Sequence, residues 1–154
     1  PCKAHEKVIT FFKTETTDGM RKMIEPALRI LDRYDHPYDI VYTNLTGKVL
    51  VEKAVDELLH KGVDCILCQD DFICDIVVRK LAKEEIDIPN QMKVASCHYS
   101  RILENYPVTI TSLKFDIMEL GRRACRLLLD RINDKQIPDM TLLDYEIILK
   151  ESTK

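Results

Sequence analysis

The sequence predicts an α/β protein with a doubly wound, mainly parallel sheet. Short β-branched and apolar segments alternate with longer amphipathic segments along the chain, an order typical of parallel sheets covered by helices. Segment 63–68 has almost no polar alternation, which favours a strand covered on both faces. These two observations predict the fold class.

In the first half, β-branched and aromatic residues predict strands at 7–12 and 38–42. Apolar residues at three-and-four spacing predict helices from about residue 17 to about 34 and from about 47 to 60. Pro26 lies inside the first helical window, so that helix begins close to it or is kinked there. Gly62 occupies the position where helices commonly end.

The second half continues the alternation. Further strands are predicted at 63–68, 92–96, 108–113 and 146–149. Asp70 or Asp71 is expected to cap a helix that reaches about residue 83, and Asp116 is expected to cap another that reaches about residue 132. The basic residues on the last helix, among them Arg122 and Arg123, are interpreted as a solvated amphipathic face.

The composition excludes several classes of protein. The 154 residues are 45% hydrophobic and 32% charged, with a net charge of −3, so a folded domain is expected rather than a disordered or collagen-like chain. No apolar run approaches the ~20 residues of a membrane span, and no basic stripe favours nucleic acid binding by this chain. Six cysteines are too few for a disulfide scaffold, which favours reduced thiols and a cytoplasmic location. Because the first residue is Pro1 rather than Met, we expect a piece of a longer protein.

The sequence offers no catalytic constellation. Glycine-rich phosphate loops and nucleophile motifs are absent, so no enzyme and no cofactor are predicted. The pair Cys65 and Cys68 falls within a strand, where residues three apart point to opposite faces, so no metal or redox site is expected. In parallel sheets ligands bind at the carboxyl ends of strands. The segments to consider are therefore 13–18, 43–46, 69–71 and 97–100.

Five segments carry a family resemblance. Segments 63–71, 88–96, 110–114, 120–129 and 150–153 read VDCILCQDD, IPNQMKVAS, ITSLK, LGRRACRLLL and KEST. In this order they resemble the motifs DAIFCAND, VPEDVSVVG, LTTVR, MGRRAAELLL and REST of the LacI/GalR family of bacterial transcription regulators. Residues 7–60 fit the βαβα region that precedes these motifs in the family.

The resemblance implies a domain organisation. Residues 1–154 would form the C-terminal lobe of a two-lobed, periplasmic-binding-protein-like effector domain, with the helix at 114–134 returning to an N-terminal lobe. That lobe and the DNA-binding domain are not in this sequence. Phe12 and Lys13, with Asp18 and Lys22 downstream, resemble the branch that carries a GntR-type winged helix, as in arabinose-repressor-like proteins.

The resemblance also implies partners. These are a small-molecule effector (a carbohydrate or derivative), a second copy of the protein in a homodimer, and operator DNA bound through the N-terminal domain, with no membrane. The alternative is the solute-binding protein of a sugar ABC transporter, which has the same lobe architecture. The cysteines and the KEST ending at 150–153 argue against export.

The family's ligand-binding positions carry over to five positions of this sequence. Four are Asp18, Asp70, His98 and Phe115, and the fifth is either Arg21 or Lys22. At His98 the family has a carboxylate that binds sugar hydroxyls, and at Phe115 it has Gln. A carboxylate accepts two hydrogen bonds from a diol, whereas a neutral imidazole offers one donor and one acceptor. The neutral-sugar pocket is therefore predicted to be altered. An acid, a phosphorylated sugar or a sugar bound through aromatic stacking would each fit it. A degenerate lobe that acts without an effector is the remaining alternative.

Overall fold

The computed structural model describes residues 47–154 throughout. Before residue 47 it describes the backbone of 8–13 and 38–43, together with residues 25, 28–30 and 32–33. Those six residues are helical and lie in the first predicted helix. The start of that helix and Pro26 lie outside the described residues.

The described strands form one sheet in the order β2-β1-β3-β4-β5-β6. The strands are β1 (Val8–Lys13), β2 (Tyr38–Thr43), β3 (Cys65–Cys68), β4 (Lys93–Ser96), β5 (Thr111–Phe115) and β6 (Tyr145–Ile148). Strands β1 to β5 are parallel, and β6 pairs antiparallel with β5. The predicted fold class is confirmed, and the strand order reverses direction at β1, where a crevice opens in sheets of this type.

Three α-helices are described between residues 47 and 154: α1 (Lys48–His60), α2 (Asp71–Lys83) and α3 (Ile117–Ile132). Two short 3₁₀ helices lie at Arg101–Glu104 and Glu151–Thr153. Helices α1 and α2 pack against each other, and their apolar faces cover the sheet. The core that results includes Val51, Val55, Leu58, Ile66, Val77, Leu81, Val94 and Ile110. The three-and-four spacing of these helical residues is what the sequence pattern predicts.

Strand β3 begins two residues later than predicted, because Val63 belongs to the end of α1. Gly62 has a φ of 70°, a left-handed conformation that glycine adopts without strain. The Val63 amide then donates to the Leu58 carbonyl at 3.3 Å. This hydrogen bond closes the helix end, so Val63 is buried but is not part of the strand ladder.

Strand β5 runs from Thr111 to Phe115, so the prediction of 108–113 is wrong at both ends. Upstream, Ser152 occupies the place of a strand neighbour. Its amide donates to the Thr109 carbonyl at 3.0 Å, and its hydroxyl accepts from the Thr111 amide at 2.9 Å. Downstream, β5 continues to Phe115 because β6 pairs with it there. The apolar residues of 108–113 indicate that the segment is buried, but they do not indicate that Ser152 and β6 are its hydrogen-bond partners.

Helix α3 buries none of its residues against the described part of the chain. Asp116 caps it as predicted, accepting from the Glu119 amide at 2.9 Å. Its apolar side chains are nevertheless exposed, for example Ile117 at 55% and Leu128 at 61%. Arg122 and Arg123 both pair with Glu119, which agrees with the interpretation of the basic residues as a solvated face.

Among the described residues no helix is both long enough and apolar enough to cross a membrane.

Candidate effector site

The carboxyl ends of β3, β4 and β5 bring the predicted site residues of the second half to one edge of the sheet. Cys68 at the end of β3 is in register with Ser96 at the end of β4, and Ser96 is in register with Ser112. Asp70 and Asp71 follow β3, and His98 follows β4. Phe115 is the last residue of β5. The sheet topology therefore gathers side chains from three strand ends.

Asp70 is the N-cap of α2. Its Oδ1 accepts a hydrogen bond from the Ile73 amide at 2.8 Å, which satisfies one of the unpaired donors of the helix start. Of the two aspartates that could cap this helix, the structure assigns the role to Asp70. Its predicted part in ligand binding stays a prediction, with Oδ2 as the oxygen outside the cap.

Asp71 faces His98 instead. Its Oδ1 lies 3.3 Å from His98 Nδ1, and its carboxylate also accepts a hydrogen bond from Ser100. Burial raises the pKa of Asp71, but the hydrogen bond from Ser100 and the proximity of His98 outweigh it and leave the pKa below the usual carboxyl value. Asp71 is therefore an ionised hydrogen-bond acceptor at neutral pH.

The position of His98 is fixed from two further sides. The Ser96 hydroxyl donates to the His98 carbonyl at 2.8 Å and lies 3.2 Å from the His98 amide, from which it accepts. The imidazole packs on Phe115, with ring centroids 5.4 Å apart and an interplanar angle of 58°. The side chain of His98 remains 30% exposed, so one part of the ring is open to a ligand.

A broad cavity of about 900 Å³ lies beside this group, between the strand ends and the start of α3. Tyr99, Phe115 and Tyr145 supply aromatic rings to its wall, and Asp116 and Asp144 supply carboxylates. Aromatic faces combined with a few polar groups are typical of small-molecule sites.

Tyr99 adds a feature that sequence reasoning missed. Its hydroxyl donates to Glu104, and the ammonium groups of Lys114 and Lys150 lie 5.8 and 5.1 Å from its ring centroid. Both distances suit cation–π attraction. This arrangement connects the loop after β4 to β5 and to the segment that follows β6.

The cysteines at this edge of the sheet are structural. Cys68 and Cys74 are fully buried and contact each other, with Cys97 close by, and burial raises the pKa of Cys68 well above its usual value. A buried thiol with a raised pKa is unreactive. Among the described residues no group of three potential ligands could hold a metal ion.

Asp18, Arg21 and Lys22 lie outside the described residues, so their predicted roles stay predictions. The strand-end segments 69–71 and 97–100 indicated by the sequence contain Asp71 and Ser100, although the family resemblance names only Asp70 and His98 there. The adjacent aspartates were the available signal for Asp71, because only one of them can occupy the N-cap position. Nothing in the sequence indicates that Ser100 reaches back to α2.

The mostly parallel sheet, its strand order and a cavity at the strand ends are typical of a periplasmic-binding-protein-like fold. The chain belongs to the periplasmic binding protein-like domain family, whose model matches residues 4–153. Among curated proteins it is similar to the HTH-type transcriptional repressor MelR of Bacillus subtilis (strain 168). The two are 23% identical over 111 residues, which are 72% of this chain and 32% of MelR.

Solved structures give the same fold. The transcription regulator CcpA of Lactococcus lactis superposes with a TM-score of 0.87 at 18% identity, covering 97% of this chain and 56% of that chain. A LacI family regulator from Bifidobacterium animalis subsp. lactis superposes with a TM-score of 0.85 at 19% identity. The match covers 97% of this chain and 55% of that chain. A LacI family regulator from Arthrobacter sp. FB24, in complex with lactose, superposes with a TM-score of 0.77 at 17% identity. The match covers 97% of this chain and 59% of that chain.

The resemblance to LacI/GalR regulators is thus confirmed by the relatives, which carry the names of transcription regulators and not of enzymes. The chain spans about a third of MelR and little more than half of these solved chains.

Proposed function

We propose that this chain is the C-terminal lobe of the effector-binding domain of a bacterial transcription regulator. The observation that carries the proposal is the group of Asp71, His98 and Phe115 at three neighbouring strand ends, beside a cavity of about 900 Å³. The first residues of α3 line this cavity, so a second lobe that packs on α3 would lie next to it. The kinship with LacI-type proteins supports this function over others.

Helix α3 is the proposed link to that second lobe. It has an apolar stripe with Ile117 and Leu128 more than half exposed, a surface that a stable monomer rarely leaves uncovered. Segment 114–134 would pack on the N-terminal lobe, and strands β5 and β6 would then cross between the two lobes. Their antiparallel pairing makes them a two-stranded hinge.

The proposed mechanism is hinge closure. A carbohydrate or carbohydrate derivative bound between the lobes would favour one angle between them, and a homodimer would transmit that angle to DNA-binding domains at the N-terminus. The ligand shifts the equilibrium only if it binds the two angles with different affinity. Side chains such as His98, which belong to one lobe, supply that difference when the other lobe closes over the ligand.

The cytoplasm is the proposed location. An exported solute-binding protein with this fold was the alternative. Cys68 and Cys74 are free thiols buried in the core, which is usual for proteins of the reducing cytoplasm. The curated relative and the solved relatives are named as regulators, and none of the three is named as a transport protein.

Binding of saccharides to the full-length protein tests the proposal. We expect at least one of glucose, galactose, lactose, glucuronate and glucose 6-phosphate to bind in a calorimetric titration. Phe115→Ala should weaken that binding about tenfold, because aromatic stacking contributes about 1 kcal/mol. Phe72→Ala is the matched control, since Phe72 is 57% exposed and does not line the cavity. Equal losses in both variants, or no binding of any sugar, would contradict the proposal.

A further inference from the structure

The loop after β4 carries candidate site residues and is tied into its own lobe. It spans residues 97–104 and contains His98 and Ser100, whose side chains both contact Asp71 at the start of α2. Further along the loop, Leu103 is buried in the core, and its amide donates to the Ser100 carbonyl at 3.2 Å. These contacts connect the loop to α2 and to the core.

Tyr99 connects the same loop to the two strands of the proposed hinge. The ammonium of Lys114, in β5, lies 5.8 Å from the centroid of its ring, and the ammonium of Lys150, just after β6, lies 5.1 Å from it. Cations at these distances are attracted to the face of an aromatic ring. The Tyr99 hydroxyl donates to Glu104, which ties the ring to its own loop.

The two lysines differ in what holds them. Lys150 belongs to an anchored segment, because its amide donates to Thr111 Oγ1 at 2.8 Å and nearby Ser152 is fully buried and hydrogen-bonded to both β4 and β5. Lys114 is the last residue but one of β5, at the end opposite Thr111. Bending of the hinge would therefore displace Lys114 relative to Lys150, and the Tyr99 ring contacts both.

We infer that Tyr99 is a positioning residue that couples the effector site to the hinge, through the contact of its ring with Lys114. The inference rests on the proposed function, since it concerns the regulation of the same site. The hinge position that keeps Lys114 over the ring also keeps the loop with His98 and Ser100 in place. By linkage, a ligand that binds the ordered loop favours that hinge position.

Amide hydrogen exchange of the 154-residue chain tests the contact. The readouts are the amides of Ile102 and Leu103, both hydrogen-bonded to Ser100. Lys114→Met keeps an unbranched apolar side chain and removes the charge. We expect it to speed exchange of these amides about two- to fivefold, which corresponds to a cation–π contact of about 0.5–1 kcal/mol. Lys53→Met, at an exposed lysine of α1, is the matched control and should leave them unchanged.

The ring, and not the general stability of the loop, must carry this effect. In a Tyr99→Leu background we expect Lys114→Met to cause no further change in the exchange of the loop, because the ring is already absent. In Tyr99→Phe, which keeps a ring, the response to Lys114→Met should remain. A loop unaffected by Lys114→Met, or an equal response with and without the ring, would overturn the coupling.

The consequence for regulation is measured on the full-length protein, with glucose, galactose, lactose, glucuronate and glucose 6-phosphate as probes. A probe that binds should slow amide exchange in the hinge segment 145–148. Lys150→Met removes the cation nearest the ring at a residue that does not line the cavity. At saturation the same probe should slow exchange in this variant by no more than about half as much, whereas Lys53→Met should respond like the wild type. Equal slowing in Lys150→Met and the wild type would overturn the regulatory role.

Failure of this inference is distinguishable from failure of the proposed function. If none of the five probes binds, the proposed function is contradicted, and the regulatory role of Tyr99 is contradicted with it. The contact between Lys114 and the ring is decided by exchange in the short chain alone. A probe that binds without any change in segment 145–148 of the wild type would leave the proposed site standing and overturn its coupling to the hinge.

Discussion

Replacing Leu58 with alanine is expected to lower the free energy of unfolding of the 154-residue chain by about 2–5 kcal/mol. Leu58 is fully buried between α1 and the sheet, in the same core as Ile66 and Leu81. Truncation removes buried apolar surface and leaves a cavity that close-packed neighbours fill only in part. Urea unfolding followed by circular dichroism measures the change, with equal slopes in the two proteins.

The matched control is Leu128→Ala on α3, the same substitution at a residue that is 61% exposed. In the 154-residue chain it should change stability by no more than about 0.5 kcal/mol. In the full-length protein it should cost more, because α3 is proposed to be covered by the N-terminal lobe. A Leu128→Ala effect equal to that of Leu58→Ala in the short chain would contradict the exposed position of α3.

Ser152→Ala is expected to destabilise the chain by about 2–4 kcal/mol, although it removes a single oxygen. That oxygen is fully buried and donates to the Val94 carbonyl at 2.6 Å while accepting from the Thr111 amide at 2.9 Å. Without it a buried donor and a buried acceptor between β4 and β5 lose their partner, and each costs about 1–3 kcal/mol.

Thr141→Ala, in the exposed segment before β6, is the control for loss of a hydroxyl and should be close to neutral. Thermal and urea unfolding of the two variants measure the difference. A loss below about 1 kcal/mol for Ser152→Ala would show that the main chain re-pairs without the hydroxyl. In that case the Ser152 hydroxyl would not be needed to connect Val94 of β4 to Thr111 of β5.

The strands and helices of the second half follow from local patterns, which is why the sequence predicts them well. Helix α2 has a cap, an amphipathic face and a defined end, and its observed bounds agree with the prediction. The last strand, β6, is displaced by one residue only. Helix α3 was also predicted correctly, because Asp116 and the spacing of its apolar residues depend on no other element.

Features that depend on distant partners could not be predicted in the same way. Strand β5 is displaced because Ser152, about forty positions along the chain, takes the place of a strand neighbour. The choice of Asp70 over Asp71 as the cap is similar, since either carboxylate satisfies a helix start. In the structure Asp70 is the cap and Asp71 faces His98, a contact that exists only once β3 and β4 are paired in register.

The ligand-binding roles of the predicted site residues stay predictions, but the structure does bring some of these residues together. The rule for strand ends and the family resemblance together indicated His98 and Phe115, and the structure places their rings in contact. The polarity of His98 could not be read from the sequence, because it depends on which neighbour faces Nδ1. Sequence reasoning therefore leaves acids, phosphorylated sugars, stacked sugars and a lobe that needs no effector open.

The central claim is that this chain is one lobe of a two-lobed regulator, and the coding sequence upstream of the Pro1 codon tests it most directly. We predict that it encodes a DNA-binding domain followed by an N-terminal lobe of similar fold, whose surface would cover α3. A secretion signal followed by such a lobe would contradict the regulator and favour a transport protein. A start codon immediately before Pro1 would contradict the second lobe and the hinge mechanism together.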